Sequence, residues 1–213
     1  MTYDLDEQEQ LEAIKAWWQR YGNAVLTVLI VILLAIAGWQ GWNWYQNDQA
    51  RKAGGYFEAL QSAVRQGNLE QVRDASTQLR NRYGSTAYAP RGALLAAQLM
   101  LKQGDVAGAR EQFEWVKQHG GPTLAPVARL RLAGLLLDQK EYDNALAQLG
   151  PDIPAGFAAL YADRRGDILF AQGKLAEARR AWEEALRELG QGDALVSIVR
   201  LKLEALAEQG EKA

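Results

Sequence analysis

Four short stretches of similar sequence constrain the fold of this chain more than any other feature. They are QGNLEQVR (residues 66–73), QGDVAGAR (103–110), QKEYDNAL (139–146) and QGKLAEAR (172–179), and they start 33 to 37 residues apart. Each follows an apolar run and opens another run of helical period, so we predict a turn between two antiparallel helices at each. The glycine at the second position in three of them suits the C-terminal cap of a helix.

A period close to 34 residues with two helices per unit predicts a tetratricopeptide-like helical solenoid. The second helices keep its small-then-bulky spacing in three pairs: Ala109 with Phe113, Ala145 with Leu149, and Ala178 with Trp182. The first helices keep its small position at Ala97, Ala133 and Gly166. The first repeat differs, because Val72 and Ser76 stand at those second-helix positions, so we expect an early helix to pack there in its own way.

An amphipathic stretch, LVSIVRLKLEALAEQ (residues 195–209), follows the last repeat. Terminal repeats of a solenoid need a cap over their apolar face. We therefore predict an all-α chain whose solenoid ends in a capping helix.

A charge-free segment precedes the repeats, from residue 21 to residue 47, and residues 24–37 hold ten Leu, Ile or Val. These ten favour membrane insertion by roughly 3 to 6 kcal/mol. Trp18 and Trp39 are about 32 Å apart on a helix, close to the ~30 Å thickness of the hydrocarbon core. Aromatic residues flank both ends, at Trp17, Trp18 and Tyr21 and at Trp39, Trp42, Trp44 and Tyr45. We predict a tail over 1–20, one transmembrane helix over 21–45 and a folded domain over 46–213.

Other interpretations of this segment fit less well. The second aromatic group surrounds the helix, which suits a belt at the membrane surface better than a stacking platform for bases or sugars. A buried core helix would not need aromatic flanks at membrane spacing. Ala35-Ile36-Ala37 resembles a signal-peptide cleavage site, but the preceding tail is long and carries five acids, at Asp4, Asp6, Glu7, Glu9 and Glu12.

The flanking charges bear on orientation. Lys15 and Arg20 lie before the span, and Arg51 and Lys52 lie after it. Large domains translocate largely regardless of charge, so the short tail is the better guide and we predict a cytoplasmic N-terminus.

Composition excludes several classes of site. The part after residue 47 holds 22 basic and 21 acidic residues without a basic run, which gives no footprint for nucleic acid. The chain has no cysteine, so disulfides, thiolate metal sites and thiol catalysis are excluded. His119 is the only histidine, and it is expected to cap a helix end.

One acidic pair is a candidate site. Asp163 and Asp167 share a helix face, a spacing that suits a cation or a basic ligand group. We expect the pair to serve instead in an intramolecular ion-pair network with Arg164, Arg165 and Arg129, because structural networks perturb carboxylates as readily as active sites do. The adjacent Glu183 and Glu184 are expected to be solvated. No second catalytic element accompanies the pair, so an anchored hydrolase is disfavoured and we predict a protein that is not an enzyme.

The first helices of the repeats are apolar nearly all round, notably in RGALLAAQLMLK (residues 91–102) and LAGLLLD (132–138). A surface helix needs one apolar stripe only. We predict that an apolar groove with acidic edges binds a partner segment through Leu94, Gln98, Leu101, Leu130, Leu137, Asp163, Asp167 and Phe170. The alternative is that these leucines are buried between neighbouring helices.

The acidic tail, the single anchor with aromatic flanks, the repeats and above all ADRRGDILFAQGKLAEARRAWEEAL (residues 162–186) resemble the ancillary SecYEG translocon subunit family, the YfgM-like proteins. The resemblance covers essentially the whole chain. It implies an inner-membrane protein of Gram-negative type with a periplasmic repeat domain, without cofactors, that associates with the SecYEG translocon and a PpiD-like periplasmic chaperone and assists emerging client segments. The same domain family includes cell-division coordinators, so a scaffold of another envelope complex is the alternative function.

Overall fold

A computed structural model describes residues 3–154, 156–190 and 192–210, and all its regular elements in these residues are α-helices. The chain divides into two compact units, Met1–Arg51 and Lys52–Ala213. This agrees with the predicted all-α fold class. The ends of the predicted tail and domain, residues 1–2 and 211–213, lie outside the described residues.

The first unit consists of the N-terminal part of helix α1 (Tyr3–Gln66). The described residues contain one candidate membrane span, within Ile14–Gln66, with a mean hydropathy of 2.3 in its most apolar window. Only 6% of that window is buried, so a core helix of a soluble domain does not account for it. The aromatic side chains predicted to flank the span, among them Trp18 and Trp39, are exposed.

The second unit is a series of helix pairs. The C-terminal part of α1 pairs with α2. The next six helices pair as α3 with α4, α5 with α6 and α7 with α8, and α9 follows them. Their bounds are α2 Leu69–Tyr83, α3 Tyr88–Lys102, α4 Val106–His119, α5 Gly121–Asp138, α6 Tyr142–Leu149, α7 Ala158–Ala171, α8 Leu175–Glu188 and α9 Ala194–Gly210.

The four repeated stretches form the turns within these pairs, as predicted. Gly67, Gly104 and Gly173 have φ of 68°, 80° and 79°, the left-handed conformation in which a glycine meets no Cβ penalty. The third turn has no glycine, and Lys140 adopts the same conformation with φ of 60°.

Small residues allow the paired helices to approach closely. Ala97, Ala133 and Gly166 are buried, and a Cβ atom at Gly166 would lie 2.4 Å from the Trp182 ring. The first pair packs differently, as expected: Ser76 is buried, and its hydroxyl donates to the Arg73 carbonyl at 3.0 Å and accepts from Gln112 Nε2 at 3.4 Å.

Polar contacts join successive turns. The Gln103 side-chain amide donates to the Gly67 carbonyl at 2.7 Å, and Arg73 Nη2 lies 2.7 Å from Asp105 Oδ2. An equivalent ion pair joins the second and third turns at a longer distance, with Arg110 Nη1 and Glu141 Oε1 3.9 Å apart. Exposed pairs of this kind contribute little energy, so their main effect is on register.

The predicted C-terminal cap is present. Helix α9 packs against α8, and its Val199 and Leu206 are buried in a cluster with Trp182. Its outer side remains partly apolar, since Leu201 is 66% exposed.

Candidate partner-binding site

The eight residues predicted to contact a partner lie on α3, α5 and α7, the first helices of three successive pairs. They have different environments. Gln98 and Leu101 are exposed, and Leu130 is half-buried. Leu94 is also half-buried and packs against two core clusters, so it is shared between surface and core.

Two cavities lie along these first helices. The larger, about 420 Å³, is bounded by Leu101, Val106 at the start of α4, and Leu130, with Arg164 of α7 on its far side. The smaller, about 240 Å³, lies between α3 and α5 and is lined by Leu94, Gln98 and Arg91, among others. Arg131 lines both cavities. We call the two together the first-helix groove.

The structure brings four of the eight predicted residues to this groove. Leu94 and Gln98 line the smaller cavity, and Leu101 and Leu130 line the larger. Leu137 and Phe170 are half-buried and pack against other core clusters. The alternative of leucines buried between helices therefore describes Leu137 better than Leu101, which is 40% exposed.

Basic side chains dominate the charge of the groove. Its lining includes Arg91, Arg131 and Arg164, against the single acidic residue Asp138. Arg91 and Arg131 are exposed and form no hydrogen bond or ion pair with the described part of the chain. The groove therefore carries cationic groups that are available to a ligand.

Arg164 is held more firmly than the other two arginines. Its guanidinium lies over Gly134 of α5, where a Cβ atom would be 3.6 Å from Cζ. Its Nη1 lies 3.6 Å from Asp167 Oδ2, and its buried Nε has no hydrogen-bond partner among the described residues. A small residue at position 134 thus leaves room for a long cationic side chain to cross α5.

The acidic pair faces the C-terminal cap. Lys202 of α9 donates from Nζ to Oδ1 of Asp163 and of Asp167, both at 2.6 Å. Asp163 is buried, and burial raises the pKa of its carboxyl above the ordinary value against the lowering effect of Lys202. The Lys202 ammonium also lies 5.8 Å from the centre of the Trp182 ring. These carboxylates therefore hold α9 in place.

The predicted ion-pair network is confirmed, with different partners from those expected. Arg164 pairs with Asp167, but Arg165 reaches Glu184 at 3.5 Å. Glu184 was expected to be merely solvated, and this was wrong because α7 and α8 bring it within reach of Arg165. Arg129 lies near Tyr161 instead of the acidic pair.

His119 caps a helix end, as predicted. Its Nδ1 lies 2.9 Å from the Trp115 carbonyl, and its ring stacks on the Trp115 ring with 4.4 Å between centroids. Within residues 3–154, 156–190 and 192–210, no three histidine or acidic side chains gather in a way that would hold a metal ion.

Comparison with known proteins connects this architecture to a family. A tetratricopeptide repeat-like domain model matches residues 15–208. The ancillary SecYEG translocon subunit of Escherichia coli (strain K12) is 30% identical over 186 residues, which is 85% of this chain and 88% of that protein. The chain belongs to the ancillary SecYEG translocon subunit family. The Neisseria gonorrhoeae (strain ATCC 700825 / FA 1090) member is 28% identical over 211 residues, 97% of this chain and all of that protein.

A solved structure supports the fold. MamA from Desulfovibrio magneticus RS-1 aligns with a TM-score of 0.51 at 19% identity, over 76% of this chain and 92% of that one. At this identity the likeness concerns the fold alone. The ancillary translocon family is of a non-catalytic kind. This chain has a tetratricopeptide-like domain, and the residues that the structure describes contain one candidate transmembrane helix.

The sequence analysis did not single out two residues that the structure shows to be important for the site. Lys202 interrupts an apolar face formed by Val199, Leu203 and Leu206, and a cation within such a face indicates a buried acidic partner. The sequence signal for Arg131 is weaker. It is only that Arg131 and Arg164 both lie eight residues before a repeated turn.

Proposed function

We propose that this protein is a non-enzymatic, membrane-anchored interaction module that associates with the SecYEG translocon and assists proteins emerging into the periplasm. The similarity over most of the chain to ancillary translocon subunits carries this proposal. The first-helix groove supports it, since a groove with apolar walls and free polar groups suits the binding of peptide segments.

The proposal includes an inner-membrane location with the N-terminus in the cytoplasm and the repeat unit in the periplasm. The charges of the short tail, Lys15 and Arg20, support this orientation. A reporter active only in the periplasm, fused after residue 213, should be active. Activity of a cytoplasm-only reporter at the same place would reject the orientation.

The partners that we propose are the translocon itself, a PpiD-like periplasmic chaperone and unfolded client segments. Leu94, Gln98, Leu101 and Leu130 are the proposed contacts, because they line the groove. Affinity purification from detergent-solubilised membranes tests the assembly, and recovery of SecY is expected. Recovery of cell-division proteins in its place would move the function to another envelope complex.

A crosslinking experiment tests the proposed surface. Leu101→Glu should abolish crosslinking to the partner while the helical content and thermal midpoint are retained, because Leu101 is 40% exposed. Leu175→Glu is a matched control, since Leu175 on α8 is 38% exposed and lies outside the groove. Equal crosslinking by the two variants would place the partner surface elsewhere, for example on α1, where Gly38 and Gly41 have open space around them.

A further inference from the structure

We infer that the first-helix groove selects acidic segments that also carry apolar side chains. This inference rests on the proposed function, because it assigns a chemical class to the partner of the same groove. It reverses the sequence-based expectation of acidic groove edges, and three observations carry it.

The first observation is the sign of the charge in the groove. Arg91, Arg131 and Arg164 line it and Asp138 opposes them, although the part of the chain after residue 47 is close to neutral. Arg91 and Arg131 are exposed without partners among the described residues, so their guanidinium donors are free for a ligand. Arginine forms paired hydrogen bonds to carboxylates, which favours an acidic ligand over a basic one.

The second observation is that the neighbouring carboxylates are already neutralised. Asp163 and Asp167 both accept from Lys202 at 2.6 Å, and Asp167 also lies 3.6 Å from Arg164, so these two cations together balance the two carboxylates. Arg164 is therefore engaged by Asp167, and Arg91 and Arg131 are the groove cations that remain available to a ligand. A basic segment would therefore be repelled by the arginines in the groove. It would also find the neighbouring carboxylates of Asp163 and Asp167 already in ion pairs.

The third observation is the apolar wall between the cations. Leu101, Val106 and Leu130 line the larger cavity beside Arg131 and Arg164. The cavity, about 420 Å³, is large enough for one or two apolar side chains but is smaller than a whole peptide. A segment that alternates carboxylates with leucine-like side chains satisfies both kinds of group.

The test uses the full chain in nanodiscs of phosphatidylcholine, a lipid without net charge, and measures binding of labelled peptides by fluorescence anisotropy. Two synthetic peptides of equal length share their leucines, and one has Glu where the other has Lys. We expect the Glu peptide to bind about tenfold more tightly than the Lys peptide, and added salt to reduce the difference.

Arg131→Glu should weaken binding of the Glu peptide by about tenfold or more and improve binding of the Lys peptide. Arg180→Glu is the matched control. Arg180 is exposed on α8 outside the groove and has no partner among the described residues, and its substitution changes the net charge equally. It should leave the affinities for both peptides unchanged.

The inference is overturned if the Lys peptide binds as well as the Glu peptide, or if Arg131→Glu and Arg180→Glu have the same effect. Either result leaves the proposed function standing if SecY is still recovered with the protein from membranes. Loss of SecY recovery with preserved selectivity for the Glu peptide would reject the proposed function and support the groove chemistry.

Discussion

Lys202 of α9 and Asp163 of α7 are 39 residues apart in the sequence, and the Nζ atom of the first lies 2.6 Å from Oδ1 of the second. Asp163 is buried, and burial raises the pKa of its carboxyl. An acid in such a place needs a compensating cation. The position of the capping helix is therefore tied to a charge on the last repeat pair.

Replacing Lys202 by Met should destabilise the repeat unit by about 2 to 3 kcal/mol, because it leaves the Asp163 carboxylate without its cation. Chemical unfolding of the fragment 52–213, followed by circular dichroism, measures the loss. Arg200→Met on the exposed side of α9 is the control and should change stability by no more than about 0.5 kcal/mol. Equal losses in the two variants would show that the Lys202 contact contributes nothing specific.

We expect substitution by alanine to have opposite effects on stability at two glycines, Gly166 and Gly134. A Cβ at Gly166 would lie 2.4 Å from the ring of buried Trp182, so Gly166→Ala forces α7 and α8 apart and should cost about 1 to 3 kcal/mol. A Cβ at Gly134 meets only the Arg164 side chain at 3.6 Å. Gly134→Ala should therefore stabilise α5 by about 0.5 to 1 kcal/mol.

Thermal unfolding of the two alanine variants beside the parent fragment measures both effects. The midpoint should fall for Gly166→Ala and rise for Gly134→Ala. A rise for both would mean that the Trp182 ring moves aside without loss of packing.

Much of this fold could be predicted because it follows from local, repeating patterns. The turns at Gly67, Gly104 and Gly173 have a clear signature, and buried Trp182 follows from the spacing of its repeat. The exposed part of α1 could likewise be predicted, because the hydropathy of the charge-free segment alone indicates a membrane span.

The charge of the candidate site was harder to predict, because it depends on contacts between distant elements. Asp163 and Asp167 were expected at the groove edge, where they would be available to a partner. Only the position of α9 shows that both carboxylates already form ion pairs with Lys202. A repeat pattern states which residues share a helix face, but it does not state which charges on that face are already paired.

Asp105 gives a prediction of pH dependence. The hydrogen bond from Arg73, followed by that from the Gly108 backbone N–H, lowers the pKa of Asp105 below 3.8 in the folded state. A lowered acid pKa contributes stability that is present above pH 3.8 and is lost as the pH falls through the folded value.

Asp105→Asn keeps a capping oxygen at the start of α4 but removes the charge. The parent should be more stable than this variant at neutral pH, by no more than about 1 kcal/mol, and the difference should shrink below pH 3.8. Urea unfolding at several pH values measures it. Asp74→Asn, at an exposed site without a partner among the described residues, is the control and should change stability at neutral pH by no more than about 0.5 kcal/mol. A difference for Asp105→Asn that is independent of pH would contradict this account.

Lys140 occupies the position that glycine fills in the other three turns, and its φ of 60° lies in the left-handed region. That conformation costs a residue with a Cβ roughly 1 to 2 kcal/mol, whereas glycine adopts it freely and loses more chain entropy on folding. Lys140→Gly should therefore raise the free energy of unfolding by up to about 1 kcal/mol.

Gly104→Lys is the reciprocal variant. A Cβ at Gly104 has no atom within 4 Å, so the expected loss of about 1 kcal/mol comes from the backbone alone. Unfolding of both variants beside the parent decides the point, because destabilisation by Lys140→Gly would mean that the lysine side chain contributes more than its backbone conformation costs.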